Sequence, residues 1–525
     1  MSRNSLALLI AGFSLLVVPP AAHAQSKEKP QAESEEPRSE SPPAPVPPTG
    51  PAAPVNPWFV RPPIMVTAGA AAGWKLTIYG FAEADMMRDS TRSFNDGFNN
   101  NVVAHEQTQA FNQPRLQFTI RNSRLGFKSE APAVGGIRST GVLEFDLFGN
   151  QPSVNSGGGS SGQVAGPGFT TEAAFFNNAA LRVRHAYVKL ENDIVDVLAG
   201  QTYHLLGWQN YFFGSSTGFL GLPNALFNRT AQLRLSRTLA WNPINVDIAA
   251  AAFRPAQRDS GLPDGEGGLR LCINKWKAMT TPGSGGTGAL PAAIAVSGLL
   301  RAFQVDPWAP QPAPPIRLMG WAVAANIIIP VIPVVDSTDR GNAFTLTGEF
   351  VTGTGAADQY GMTAGATMPN VFPLPPETPT NAMGVTVPTL TTGAAPLVGL
   401  PYTPNVDAGL VAFDSSGILH TINWQTFIVG FQYYLPPTGR AFISGNYSQG
   451  KSNNIASLFH PGSPRQPWVN STAVFETSWY VDGNFFFDIT PSVRMGLSYQ
   501  HVTQGLADGT RGRNDRFEMT FLYFL

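Results

Sequence analysis

The sequence predicts an all-β protein, a transmembrane antiparallel β-barrel of about 16 strands behind a disordered Pro-rich N-terminal arm. Three observations carry this. From Trp74 onward, apolar residues alternate with polar ones in short runs broken by turn residues, the pattern of strands with one oily face. Beyond the N-terminal 24 residues no run of about 18 apolar residues occurs, so membrane-spanning helices are not expected. Finally, residues 516–525 place Phe517, Met519, Phe521, Tyr523 and Leu525 on one face of a strand. A soluble sheet ending this way would leave an aromatic edge open to pairing, whereas a closed barrel facing lipid has no edge.

Composition fits that reading. Only 13% of the 525 residues are charged, with 53 Gly and 46 Pro, and a barrel dilutes its apolar surface with every second residue. The formal net charge of −1 provides no basic excess for nucleic acid. Arg3, the apolar run 6–18 and Ala22-His23-Ala24 read as a secretory signal peptide, residues 1–24. The single cysteine, Cys272, cannot form an internal disulfide. Residues 25–73 are charged and then proline-rich, a composition that cannot bury a core. A tether to peptidoglycan through residues 26–63 is one use of this arm, and a passive linker is the other. Residues 74–525 form the barrel domain.

Strands are expected at 75–87, 115–128, 137–149, 181–190, 194–202, 229–240, 244–254, 267–275, 292–305, 316–329, 343–353, 421–435, 440–449, 477–488, 493–503 and 515–525. The even total suits a bacterial barrel, although the faint middle strands leave 14 or 18 open. In the second strand the phase slips near Asn122-Ser123, which a bulge would repair. Long connections at 151–180 and 354–420 alternate with brief ones such as 436–439 and 489–491. Long loops belong on the external side and brief turns in the periplasm.

Parity also assigns the charges. Arg124, Arg138, Arg182, Arg184, Arg234, Arg317 and Arg494 are expected to point inward, because a mid-membrane Arg facing lipid costs roughly 2–4 kcal/mol. Glu144, Asp146, Glu349 and Asp482 are their inward counterparts. Such arginines either attract anions along a pore or pair with the acids to stiffen the wall. The pore-lining set is Arg124, Arg138, Glu144, Asp146, Arg182, Arg184 and Arg234. Tyr187, Trp241, Tyr433, Tyr434, Trp479 and Tyr523 read as interfacial girdles.

Residues 516–525 resemble the C-terminal strand of Gram-negative outer-membrane proteins, with Leu525 where that family usually has Phe. Arg-His-Ala-Tyr-Val-Lys-Leu at 184–190 and Ala-Gly-Gln-Thr at 199–202 resemble a hairpin of the DcaP-like and general trimeric porins. That resemblance implies that residues 203–228 are the third external loop, folded inward as a constriction. It also implies a homotrimer. The coiled coil that DcaP-like porins often carry is not matched, since the arm shows no heptads. The loop contains no Asp or Glu and offers Tyr203, His204, Trp208 and Gln209, suited either to solutes or to anchoring the loop on the wall.

The expected function is passive diffusion of small hydrophilic solutes across the outer membrane, with a mild preference for anions. Outer-membrane lipids and lipopolysaccharide are the expected surroundings. A structural or adhesion barrel with a blocked lumen is the alternative. An outer-membrane hydrolase is disfavoured, because no histidine lies in a metal-ligand spacing or beside a nucleophile motif. No catalytic residue, metal or cofactor is expected.

Overall fold

The computed structural model describes residues 64–68, 73–93, 96, 103–104, 106–149, 179–209, 211–212, 222–257, 260–281, 287–305, 314–338, 340–360, 406, 409–413, 418–459, 475–506 and 509–525. The signal peptide, residues 25–63 of the arm and most of the loops at 151–180 and 354–420 lie outside them.

Sixteen antiparallel strands close into one barrel. They are β1 (Trp74–Asp89), β2 (Arg115–Thr119 with Arg124–Glu130), β3 (Arg138–Gly149), β4 (Ala180–Glu191), β5 (Asp196–Tyr203), β6 (Arg229–Trp241), β7 (Ile244–Phe253) and β8 (Asp264–Thr280). Then follow β9 (Gly288–Val305), β10 (Ile316–Ile332), β11 (Phe344–Thr354), β12 (Asn423–Tyr434), β13 (Ala441–Lys451), β14 (Phe475–Thr490), β15 (Val493–Leu506) and β16 (Arg511–Phe524). Each pairs with the next, and β16 returns to β1 through Phe81↔Phe524 to Asp89↔Arg516. A strand at Ile64–Ala68, within the segment assigned to the arm, pairs with the start of β1 from Ile64↔Ile78 to Ala68↔Trp74.

The faces sort as alternation requires. Phe118 (62% exposed), Leu233, Leu300, Met319 and Phe517 point outward, while Glu83, Gln117, Asp146, Ser297, Asn326 and Gln500 are buried inside. Phe81 pairs with Arg124 and Asp85 with Thr119, so three β1 residues face four of β2. That extra residue is the expected bulge at 120–123, and it keeps Leu116 and Leu125 on the same outer surface.

Two departures change what faces the lumen. On β4, Glu144 pairs with His185 but Phe145 pairs with Val183, leaving Arg184 as an extra residue. This second bulge turns Arg182, Arg184 and His185 all inward, and carries Tyr187 from the expected girdle into contact with His185, ring centroids 6.3 Å apart. On β8 the register breaks between Ile273 and Lys277, with Asn274, Lys275 and Trp276 unmatched opposite β9. Beyond that break the end of β8, residues 277–281, and the start of β9, residues 287–291, fold into the short-turn mouth of the barrel. Thr345 on β11 donates to Met279 O (2.8 Å), Thr281 N–H to Gln432 on β12 (2.9 Å), and Arg494 on β15 to Thr287 (3.0 Å). Met279, Val334, Ala343, Tyr434, Phe442 and Phe486 close around it as a small apolar core. Tyr434 is therefore internal and not a girdle residue, whereas Trp241 and Tyr523 are exposed outside.

Candidate pore site

The wall from β2 to β6 gathers the charged side chains. Arg182 binds Asp146 through Nε (2.9 Å) and Nη2 (2.5 Å). Arg184, 1% exposed, spans Glu144 (2.7 Å) and Asp146 (3.0 Å) and donates to the Tyr203 hydroxyl (2.8 Å). Arg124 lies 3.5 Å from Glu144 and over the Phe81 ring. Tyr79 donates to the other Glu144 oxygen (3.0 Å) from across Gly126, where a Cβ would lie 2.3 Å from the Tyr79 ring. Arg234 donates to Gln232 (3.0 Å) and to Tyr203 O (2.5 Å).

A residue outside the expected set joins them. Arg229 stacks over Tyr203 (5.3 Å) and Phe227 (5.1 Å). It opens β6, and strand parity alone gave no sign that the chain turns there toward Tyr203. Arg124, Arg182, Arg184 and Arg229 thus gather around two carboxylates, Glu144 and Asp146, while the carboxylate acting on Arg234 is Glu266. The side chain of Arg182 remains 29% exposed and that of Arg124 17%, so part of this charge stays accessible.

The other expected arginines are dispersed. Arg138 shares the Glu144 face but is exposed at the short-turn end of β3. Arg494, fully buried, pairs with Asp488 (2.8 Å) beside Thr287 at the start of β9. Arg317 is corrected: it has the parity of exposed Met319 and Trp321 and faces outward. Its place at the long-loop end of β10, beyond the apolar band, removes the penalty on which the inward assignment rested. Glu349 and Asp482 do point inward, but Glu349 binds loop backbone and Asn326, and Asp482 binds Asn446 and Tyr480.

The third long-end loop, residues 204–228, runs inside the barrel where it is described. Glu266 on β8 accepts the N–H groups of Leu205 (2.7 Å) and Leu206 (3.1 Å) and contacts His204 (3.2 Å). Ser297 on β9 accepts from Gly207 (2.7 Å), and Glu349 on β11 from Leu226 (3.0 Å). Ser448 on β13 accepts from Asn224 (3.1 Å) and donates to Pro223 O (2.6 Å). The loop's own lack of acids has a physical counterpart: wall carboxylates take its orphan N–H groups, and a loop carboxylate there would meet like charge.

Its named side chains are packed. Tyr203, His204, Trp208 and Gln209 are each less than a tenth exposed. Trp208 holds a left-handed backbone, φ 45°, which is strained for so large a residue. Arg270, paired with Asp247, covers its ring at 4.7 Å and that of Tyr211 at 4.1 Å. Tyr211 in turn donates to Pro291 O (2.6 Å), joining the loop to the folded-in hairpin.

No protein-family model and no curated protein matches the sequence. Among solved structures, the outer membrane channel DcaP of Acinetobacter baumannii aligns over 88% of this chain and 100% of its own, with TM-score 0.57 and 15% identity. The anion-selective porin from Comamonas acidovorans covers 86% and 100% at 9% identity, with TM-score 0.43. The first likeness is one of fold, the 16-stranded porin barrel; the second lies too far away to add to it.

Proposed function

We propose that this chain is an outer-membrane porin that passes small hydrophilic solutes by passive diffusion and favours anions. One arrangement carries the reading: a closed barrel, apolar outside, whose inner wall sets four guanidiniums, those of Arg124, Arg182, Arg184 and Arg229, around Glu144 and Asp146 opposite an inward-folded loop. Exposed cations in a confined aqueous passage raise the local anion concentration and lower the barrier to anion entry. Arg182 and Arg124 meet the solute, while Arg184, held by both acids, fixes their geometry. Tyr203, His204, Trp208 and Gln209 hold the constriction in place. The likeness to the outer membrane channel DcaP supports the channel reading, and the homotrimer that the porin resemblance of residues 184–190 and 199–202 implies is part of the proposal.

A blocked barrel with a structural role is the second reading, and the inward limbs of the β8–β9 hairpin at Thr281 and Thr287 in the short-turn mouth favour it. Reconstitution in a planar bilayer under a salt gradient separates the two. A porin gives discrete ionic steps with a reversal potential displaced toward that of the anion. Absence of steps from folded protein overturns the pore, and displacement toward the cation overturns the anion preference.

A further inference from the structure

On the outer surface, toward the long-loop end of β15 and β16, three side chains form a hydrogen-bonded row that a pore does not use. Thr503 and His501 stand two residues apart on β15 and so share its outward face with exposed Tyr499. Asp515 on β16 is the direct ladder partner of His501. An ionised carboxylate only accepts, so His501 Nδ1–H donates to Asp515 Oδ1 (2.7 Å), and the Nε2 lone pair is left for the Thr503 hydroxyl (3.0 Å). Tyr499 donates to the same Asp515 oxygen (2.6 Å), and the Trp479 ring lies against the imidazole with centroids 4.7 Å apart. Both ends of the row remain accessible: the side chain of His501 is 19% exposed and that of Asp515 33%.

Hydroxyl, imidazole and carboxylate in that order are the parts of an activated nucleophile, a base within reach of the hydroxyl and a third group that orients the base. The register adds a cation. Thr503 pairs with Arg513, whose Cβ therefore stands about 5 Å away on the same face. Arg513 is exposed, acts on Asp515 and lies 5.7 Å from the Phe111 ring. Toward mid-membrane, Tyr499, Leu497, Phe485 and Phe517 line an apolar groove of about 830 Å³. Gly483, the ladder partner of Tyr499, keeps the groove open, with nothing within 4 Å of where its Cβ would stand. A hydroxyl nucleophile at the head of an apolar groove, on a wall facing lipid, meets one class of bond: the carboxylic ester of a long acyl chain.

We propose that this surface hydrolyses acyl esters of membrane lipids. Thr503 Oγ bonds to the ester carbonyl carbon while His501 Nε2 takes its proton, and the carbonyl oxygen becomes an anion facing Arg513. His501 returns the proton to the alcohol oxygen of the lipid as the C–O bond breaks, leaving an acyl ester on Thr503 and a lyso-lipid. Water, giving a proton to His501, attacks that ester, and the proton passes to Thr503 Oγ as fatty acid departs. Asp515 is a positioning residue that holds the imidazole. The sequence shows no nucleophile motif because the ladder, and not spacing along the chain, brings Asp515 to His501. The proposal rests on the outer-membrane placement but not on conduction, since every group lies outside the lumen.

The test uses the full chain purified in mild detergent from a host without an outer-membrane phospholipase of its own. Mixed micelles of phosphatidylethanolamine, and separately of lipid A, are the probes, with released fatty acid measured by mass spectrometry. Release from either supports the proposal and tells which lipid supplies the ester. Thr503→Val and His501→Gln should each lower release on the order of a hundredfold or more, and Thr503→Ser should retain it. Asp515→Asn should lower kcat with KM unchanged. A long-chain alkyl fluorophosphonate should label Thr503 in the wild type and not in His501→Gln. Unchanged heat-modifiable migration shows that each variant is folded, and a barrel that hydrolyses without conducting would sink only the pore. Absence of fatty acid from both probes with folded wild-type protein overturns the proposal. So does equal release by Thr503→Val, which would place the chemistry elsewhere.

Discussion

Arg184 does at the residue scale what no other inward arginine does, touching both wall carboxylates and the Tyr203 hydroxyl from a fully buried position. Removing it strands buried charge, so Arg184→Ala should cost on the order of 3–5 kcal/mol, measured as a lower urea midpoint for loss of the folded form. Arg182→Gln is a different experiment. Asp146 keeps Arg184 as partner, so stability should fall little while the reversal potential moves toward cations. Parity in the sequence was enough to send Arg182, Glu144 and Asp146 inward. His185, Tyr187 and Arg229 were not legible, because a bulge inserted at Arg184 shifts the phase of all that follows, and alternation cannot show which residue is extra.

Among the elements, the third loop owes its course to groups it does not contain. Glu266 and Glu349 sit on distant strands, and their N–H partners are backbone atoms that any sequence supplies. For this reason the absence of loop acids is visible in the sequence while its cause is not. Glu349→Ala should release the returning limb at Leu226, seen as noisier and larger single-channel conductance with the barrel still folded. The hairpin tip was equally hidden. Its strands were expected to end near Lys275 and start at Ala292, and the longer, broken β8 offers no periodicity to follow. Replacing residues 276–290 with a tight turn should raise conductance if the tip narrows the mouth, and unaltered conductance would place the limiting section at the third loop.

The whole molecule is where sequence reading went furthest. All 16 strands fall within a few residues of their expected positions, because lipid outside and water inside force the same two-residue period on every strand. Adjacent positions on β6 test that rule directly. Leu235 is exposed outward, near mid-strand, and Ser236 faces in. Leu235→Arg should destabilise the barrel by about 2–4 kcal/mol in a lipid-bilayer unfolding titration, whereas Ser236→Arg should cost far less.

The short strand Ile64–Ala68 has a consequence for how the barrel closes. It occupies the edge of β1 from Trp74 to Ile78, below the stretch from Phe81 to Asp89 that β16 takes. On that edge a neighbour in sequence takes the first five residues of β1, and only Phe81–Asp89 is left for β16, the last strand of the barrel. The seam that joins the two ends of the barrel is correspondingly short, nine residue pairs, bounded at its lower end by Phe81 against Phe524.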